Sequence, residues 1–192
     1  MPGTVIGKSL NLGFIGKISR NIDNIISSRL VKSILDGGGA ETLKSIPFGK
    51  AVVLNTDNTY SLFGDSGSGV SAATAALFAG IAVGEVKQMT TYGNVSAAGQ
   101  YDPKQPCDVL ERGSTTIQVV DSTNNAPTAG GKVYICSAVG NGSLTVGDLY
   151  ATATPTGIGT GTVLELTNVR FTTGKVDANS VAEVTIITRN QP

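Results

Sequence analysis

A candidate nucleophile lies in residues 64–69, GDSGSG, where Ser66 follows an aspartate and precedes a glycine. This pattern resembles the sequence around the nucleophile of serine proteases, in which a neighbouring base, normally histidine, takes the hydroxyl proton. The chain contains no histidine at any position. We therefore predict that residues 64–69 form a glycine-rich loop, and we keep a serine hydrolase that uses Ser66 as an alternative hypothesis.

Metal ligands are also sparse. The absence of histidine removes the commonest ligand of zinc, copper and haem iron. Cys107 and Cys136 match no zinc-site spacing. Cys136 ends an apolar run, VYIC, which predicts a buried thiol, and a bridge between the two cysteines is left open. Asp57, Asn58 and Asp65 offer oxygen atoms to calcium, but their spacing does not match an EF-hand loop. We predict no metal and no cofactor.

One local group of carboxylates occurs in the chain, at Asp102, Asp108 and Glu111. Paired carboxylates can hydrolyse glycosides. These three residues more plausibly flank a turn, where we expect them to pair with Lys104 or Arg112. The sequence therefore predicts no catalytic residues and no enzyme.

The composition favours a single β-structured domain. Of 192 residues, 25 are glycine, 40% are hydrophobic and only 15% are charged, a mixture typical of strands joined by many turns. The 14 basic and 14 acidic residues cancel, so no basic surface for nucleic acid is indicated. The longest weakly charged run, residues 70–83, is too short to span a membrane, and no signal-peptide pattern is present. We expect neither a nucleic-acid nor a membrane partner.

The segment expected to organise the remaining elements is residues 99–120, GQYDPKQPCDVLERGSTTIQVV. Residues 116–119 alternate between polar and apolar, which predicts a strand with one buried face. We predict a hairpin with its tight turn at residues 111–114, because Gly113 supplies the conformational freedom that a short connection needs.

Six further segments have the apolar patterns of strands. They are residues 51–54, 59–63, 78–86, 132–139, 163–169 and 181–188. A short helical turn is expected at residues 72–76 and a turn at residues 174–179. Seven or eight short strands predict a mainly β protein, a single compact barrel or sandwich of jelly-roll type with at most one or two short helices.

The N-terminal part of the chain has a different pattern. Residues 1–16 carry closely spaced glycines among apolar residues, which disfavours a helix. The segment is either a first strand with a loose terminus or an arm that docks on a neighbouring molecule. Residues 18–35 fit either a helix or a strand, because near-helical apolar spacing is combined with many β-branched residues. Glycines at 37–39 end either element. We therefore divide the chain into an extended N-terminal arm and linker, residues 1–40, and a β-domain, residues 41–192.

Several segments, in this order, resemble the structural cement (head decoration) proteins of tailed bacteriophages. The segments are residues 45–55 (SIPFGKAVVLN), 78–87 (FAGIAVGEVK), 99–113 (GQYDPKQPCDVLERG), 131–135 (GKVYI), 166–179 (LTNVRFTTGKVDAN) and 181–190 (VAEVTIITRN). The resemblance runs from about residue 45 to the C-terminus, and the N-terminal arm fits it loosely.

The resemblance implies a non-enzymatic β-domain that binds the outside of an icosahedral head and bridges subunits of the major capsid protein. It implies partner copies of the chain as dimers or trimers, and a place on the capsid exterior after synthesis in the cytoplasm of a bacterial host. The alternative is another β-rich virion module, a head fibre base or a carbohydrate-binding domain. That alternative predicts an exposed cluster of aromatic residues.

Two segments are candidate contacts with other proteins. Residues 1–35 carry apolar side chains that we expect to reach capsid subunits or adjacent copies. Residues 101–106 are a candidate contact edge, because Pro103 and Pro106 lack N–H donors and so cannot extend a sheet, yet still pack.

Overall fold

The chain forms antiparallel strands and a single turn of 3-10 helix in its described part. The computed structural model describes residues 12–19, 23–84, 99–138, 141, 144–157 and 160–189. The strands are β1 Ile25–Leu30, β2 Ile46–Pro47, β3 Ala51–Leu54, β4 Tyr60–Leu62, β5 Phe78–Ala82, β6 Gln100–Tyr101, β7 Pro106–Gln118, β8 Lys132–Ala138, β9 Leu149–Tyr150, β10 Thr162–Val176 and β11 Val181–Ile186, and the helical turn is η1, Ala75–Leu77. Within these residues, no helix has the length and apolar character to span a membrane.

Nine of the strands described above hydrogen-bond into one sheet. Their order is β4-β3-β5-β7-β11-β10-β8-β9, and β1 pairs with β7 outside this path. β2 and β6 form a separate pair. The large sheet curls into a half-barrel, which confirms the predicted mainly β barrel or sandwich class with little helix.

β7 lies in the middle of the sheet and is buried on both faces. Adjacent residues of a strand point to opposite faces. Leu110 and Ile117 enter the larger core cluster, whereas Cys107 and Val109 enter a second cluster. The first half of β7 pairs with β1 and β5 and its second half with β11. One long strand therefore connects the two halves of the sheet.

The predicted hairpin in residues 99–120 is wrong, because β7 is one continuous strand of 13 residues. Gly113 has a φ of 123° and lies where β7 exchanges its neighbour β1 for β11. A Cβ atom at this position would lie 2.0 Å from Oδ1 of Asn24. The glycine is required by its backbone conformation and by the close approach of Asn24, so it marks a bend within a long strand.

The prediction that β7 exposes one face in its second half also fails at Thr116, which is 1% exposed. The N–H of Thr116 donates to the carbonyl of Lys17 at 3.1 Å, and its carbonyl accepts from the N–H of Gly16 at 2.7 Å. Residues 12–19 thus lie along β7 and cover this threonine, whereas Gln118 is exposed.

The open choice between helix and strand in residues 18–35 is settled as a strand, β1. It pairs antiparallel with β7 and places Leu30 opposite Pro106. The isoleucine-rich sequence is one that strands accommodate better than helices. Residues 1–11 and 20–22 lie outside the described residues, and the division of the chain into arm and domain stays a prediction.

The remaining strand predictions are confirmed, with shifted ends. β3 covers the predicted residues 51–54, and β4, β5, β8 and β11 each lie within their predicted segments. β10 is longer than the predicted residues 163–169 and continues through Gly174, where a turn was expected. The pairing register of β10 with β11 shifts between Phe171 and Val176, so Gly174 lies in a bulge of a continuing strand. The expected helical turn forms as η1.

Candidate interaction surfaces

Ser66, the candidate nucleophile, is exposed in a loop. The glycines that bound the loop, Gly64 and Gly69, have φ values of 90° and 71°. Oδ2 of the neighbouring Asp65 accepts a hydrogen bond from the N–H of Lys44 at 3.0 Å. The aspartate therefore fixes the loop to the preceding segment, and the arrangement beside Ser66 is that of a structural turn.

Asp57 and Asn58, two of the proposed calcium ligands, bind side chains of this protein. Oδ2 of Asp57 lies 2.5 Å from Nζ of Lys32, and its Oδ1 accepts from the hydroxyl of Thr59 at 2.6 Å. The hydrogen bond from Lys32, followed by that from Thr59, lowers the pKa of Asp57. Asn58 accepts a hydrogen bond from Arg29. Over the described part of the chain, no three metal-binding side chains converge.

The three clustered carboxylates of the sequence separate onto different partners. Those partners are Ser45 for Asp102, Ser28 for Asp108, and Arg189 together with Tyr60 for Glu111. The predicted pairing with Arg112 is wrong, because Arg112 pairs with Asp23 at 2.6 Å. The carboxylates serve three separate attachments within the fold.

Glu111 is the centre of a buried polar group that sequence reasoning missed. It is 4% exposed, and its Oε1 accepts from the hydroxyl of Tyr60 at 3.2 Å while its Oε2 pairs with Arg189. Burial, followed by the negative charge of Glu111, raises the pKa of Tyr60 to about 12, so the hydroxyl remains a donor. The guanidinium of Arg29 lies 5.4 Å from the centre of the Tyr60 ring. The group joins β1, β4, β7 and the segment after β11.

Residues 101–106, the predicted contact edge, are partly internal. Tyr101 is buried, and its hydroxyl donates to the carbonyl of Val83 at 2.6 Å. Lys104 and Pro106 are exposed. Tyr101 packs inside the protein and is not available to a partner. The predicted contact of residues 101–106 with another protein stays a prediction, and Lys104 and Pro106 are the exposed residues that could make it.

Exposed apolar side chains concentrate near the N-terminus. Five large hydrophobic residues are exposed among those described, and four of them lie in residues 12–35. The exposed fractions are 84% for Phe14, 43% for Ile26, 54% for Leu30, 51% for Leu35 and 50% for Ile187. We name the described residues of this range, 12–19 and 23–35, the N-terminal strip. Apolar surface gathered on one segment is typical of a protein-binding surface.

β1 places Ile25, Ser27 and Arg29 on its half-buried side and Ile26, Ser28 and Leu30 on its exposed side. Ser27 and Arg29 are half-buried and lie opposite buried residues of the second core cluster. Ile26 and Leu30 are exposed on the other face. An antiparallel strand that covers a core usually has the reverse arrangement.

The most exposed residue of the strip, Phe14, projects from a backbone that is held on both sides. The hydroxyl of Thr116 donates to the carbonyl of Phe14 at 2.5 Å. Before it, the N–H of Leu12 donates to Oδ2 of Asp177 at 3.2 Å. The aromatic ring is therefore presented to solvent by a fixed turn.

Cys107 and Cys136 are free thiols with no exposed surface. They belong to different core clusters. Burial raises the pKa of both thiols, which keeps them in the unreactive protonated form. The predicted burial of Cys136 is confirmed, and the bridge that was left open does not form.

The exposed aromatic cluster expected of a carbohydrate-binding module is missing from the described residues. Six aromatic residues are buried, namely Tyr60, Phe63, Phe78, Tyr101, Tyr150 and Phe171. Phe14 is exposed, and Tyr92 lies outside the described residues.

The described part of the chain is thus a β half-barrel that carries an apolar strip on its surface. The model of the structural cement protein family (E217 gp24/Pam3 gp6) matches residues 1–187, and the chain belongs to this family. The resemblance seen in the sequence is thereby confirmed. Membership indicates a structural role in the phage capsid rather than an enzymatic one.

A solved structure shares this fold. A chain of "The capsid of Myoviridae Phage XM1" aligns with a TM-score of 0.60 and 19% sequence identity, over 100% of both chains. No curated protein matches the chain. At this identity the likeness concerns the fold, so contact residues must be argued from the present chain.

Proposed function

We propose that the protein binds the outer surface of a phage capsid and bridges subunits of the major capsid protein, which stabilises the head. The observation that carries this proposal is the N-terminal strip, where four of the five exposed large hydrophobic residues of the described chain lie. In a member of the structural cement family, such a strip supports a contact with the shell.

Apolar contacts suit a protein with no net charge. Long-range electrostatic attraction contributes little to such a protein, so affinity must come from surface buried at the contact. Fully burying a Leu- or Ile-sized side chain contributes about 1.5–3 kcal/mol. Ile26, Leu30 and Leu35 are about half exposed, so covering each contributes about half of that. Many copies on one lattice strengthen attachment without a high affinity at each site.

The partners that we propose are the major capsid protein and other copies of this chain, arranged as dimers or trimers about symmetry axes. Neither nucleic acid nor a membrane belongs to the proposed partners. We place the protein on the capsid exterior after synthesis in the bacterial host cytoplasm. The two free, buried cysteines support assembly in a reducing compartment.

The test uses heads of the same virus assembled without this protein. Purified protein is added, its position is determined by cryo-electron microscopy, and the temperature at which the heads disrupt is measured with and without it. We expect density on the outer surface that spans at least two shell subunits, and a higher disruption temperature. Attachment confined to one subunit, with no gain in head stability, would contradict bridging.

The contribution of the N-terminal residues to head binding is tested by deleting them. Deletion of residues 1–16 would also remove hydrogen bonds that Phe14 and Gly16 make with Thr116, so the informative deletion is residues 1–11. Full head binding by the shortened protein assigns the contact to residues further along the chain, including the N-terminal strip. Lost binding assigns it to residues 1–11.

A further inference from the structure

The exposed side of β1 continues onto the first residues of β7. Opposite residues of an antiparallel pair share one face, and the register places Ser28 opposite Asp108 and Leu30 opposite Pro106. The hydroxyl of Ser28 donates to the carboxylate of Asp108, which places both side chains on the same side. We name Ile26, Ser28, Leu30, Pro106 and Asp108 the β1 face.

The β1 face is apolar at both ends and anionic in the middle. Ile26 forms one end, and Leu30 with Pro106 forms the other. Four residues of strand separate the ends by about 13 Å. Between them lies the carboxylate of Asp108, which accepts from a neutral hydroxyl, that of Ser28.

The fold itself does not account for the apolar character of this face. Leu110, opposite Ile26 in the register, is fully buried in the larger core, whereas Ile26 and Leu30 are exposed. The opposite side of β1 carries Ser27 and Arg29 against the second core cluster. Ile25 is half-buried on that same side, whereas Ile26 and Leu30 are left on the exposed side, where no contact within the fold requires an apolar side chain.

We propose that the β1 face docks onto the major capsid protein, on a surface with two apolar sites about 13 Å apart and a cationic or hydrogen-bond-donating side chain between them. This inference rests on the proposed function and names the contact through which it acts. A second copy that met the same face across a twofold axis would bring two Asp108 carboxylates together, and opposed like charges are unfavourable. This disfavours a twofold dimer through this face, and membership of the structural cement family assigns the face to the capsid protein.

The test is a titration of heads that lack this protein with wild type and three variants. Ile26→Ser combined with Leu30→Ser is expected to weaken binding by about tenfold or more. Asp108→Asn keeps an acceptor for Ser28 but removes the charge, so binding should weaken and depend less on salt. Lys132→Ala is the control, because it removes an exposed side chain of β8, which β11 and β10 separate from β7, and it should leave binding unchanged.

The outcomes separate this inference from the proposed function. If the double variant (Ile26→Ser with Leu30→Ser) and Asp108→Asn bind heads as well as wild type does, the β1 face is not the contact. The proposed function then still stands. Wild type that does not bind heads removes both. Sedimentation of the free proteins is the second measurement. If the variants bind heads as wild type does but no longer self-associate, the β1 face binds a second copy of the chain, and its assignment to the major capsid protein is wrong. If the double serine variant does not fold, Asp108→Asn alone tests the β1 face, and head binding equal to that of wild type would overturn it.

Discussion

The N-terminal strip exposes large apolar side chains, and the part of the sheet built by β8 and β10 does not. The exposed residues of β8 and β10 are Lys132, Ala138, Thr162, Thr167, Thr172 and Lys175, whereas those of the strip include Phe14, Ile26, Leu30 and Leu35. Both regions belong to one sheet, which buries its apolar residues well at β8 and β10. The apolar surface of the strip is therefore a property of that segment rather than a shortage of core.

The two regions are also attached differently. β8 and β10 contribute Val133, Ile135 and Leu166 to the larger core cluster. Several side-chain attachments of the strip are polar, namely Asp23 to Arg112, Ser28 to Asp108, Arg29 to Asn58 and Lys32 to Asp57. Val31 and Ile18 add apolar contacts with the two core clusters. We infer that these contacts and the polar attachments hold the strip in place while Phe14, Ile26, Leu30 and Leu35 stay exposed.

Glu111→Ala should give the largest effect and should act on the strip first. Removing the carboxylate leaves the buried hydroxyl of Tyr60 and the guanidinium of Arg189 without their acceptor, at a cost of about 3 kcal/mol. We expect faster amide hydrogen exchange in β1 than in β8. The control is Glu165→Ala, which breaks a more exposed pair; equal losses for both variants would contradict the role of the buried group.

Gly113→Ala should destabilise the protein by about 2 kcal/mol, because alanine disfavours a φ of 123° and its Cβ would meet Asn24 of the strip. Denaturant unfolding measures the loss. The matched control is Gly39→Ala, where φ is also positive but no atom lies within 4 Å of the added Cβ. A loss at Gly113 no larger than that at Gly39 would show that Asn24 moves aside freely.

Acid should loosen the start of the strip through Asp177. Burial alone would raise the pKa of Asp177, but hydrogen bonds from the N–H groups of Val181, Asn179 and Leu12 lower it below its ordinary value. A lowered folded pKa contributes stability above the unfolded value of about 3.9, and this contribution is lost as pH falls through the folded pKa. Melting temperatures should therefore fall more steeply below about pH 4 in wild type than in Asp177→Asn. Parallel curves would exclude Asp177 as the group responsible.

Phe14→Ala and Lys132→Ala should have the smallest effects on stability, and only Phe14→Ala should affect head binding. Each removes a side chain that is mostly exposed, so unfolding free energies should stay within about 0.5 kcal/mol of wild type. Head binding, measured by co-sedimentation, should weaken with Phe14→Ala and remain unchanged with Lys132→Ala. The reverse result would move the contact surface to β8 and β10.

Much of the strand content follows from local patterns. The apolar run that became β3 and the alternation that became β11 are signals that a strand carries within itself. The conformations at Gly113 and Gly174 were harder to predict, because a glycine permits a turn and a bulge equally. What decides between them is the neighbouring strand, and for Gly113 that includes Asn24, which is remote in sequence.

The interaction surfaces were harder to predict than the fold. The apolar character of residues 1–35 indicated a contact, yet the sequence could not say that β1 would lie on β7 with its polar side inward. The partner of Glu111 was expected nearby at Lys104 or Arg112 and is Arg189, close to the other end of the chain. Such a pairing has no periodic or local signal, because tertiary topology alone brings the two residues together.

The buried state of Cys107 and Cys136 has a practical consequence for measuring attachment. Since the native protein presents no thiol to solvent, a cysteine introduced at the exposed Lys132 of β8 would be the single site at which a maleimide dye reacts. The labelled protein would then report each binding event on a head through fluorescence anisotropy, with the dye placed outside both the N-terminal strip and the β1 face.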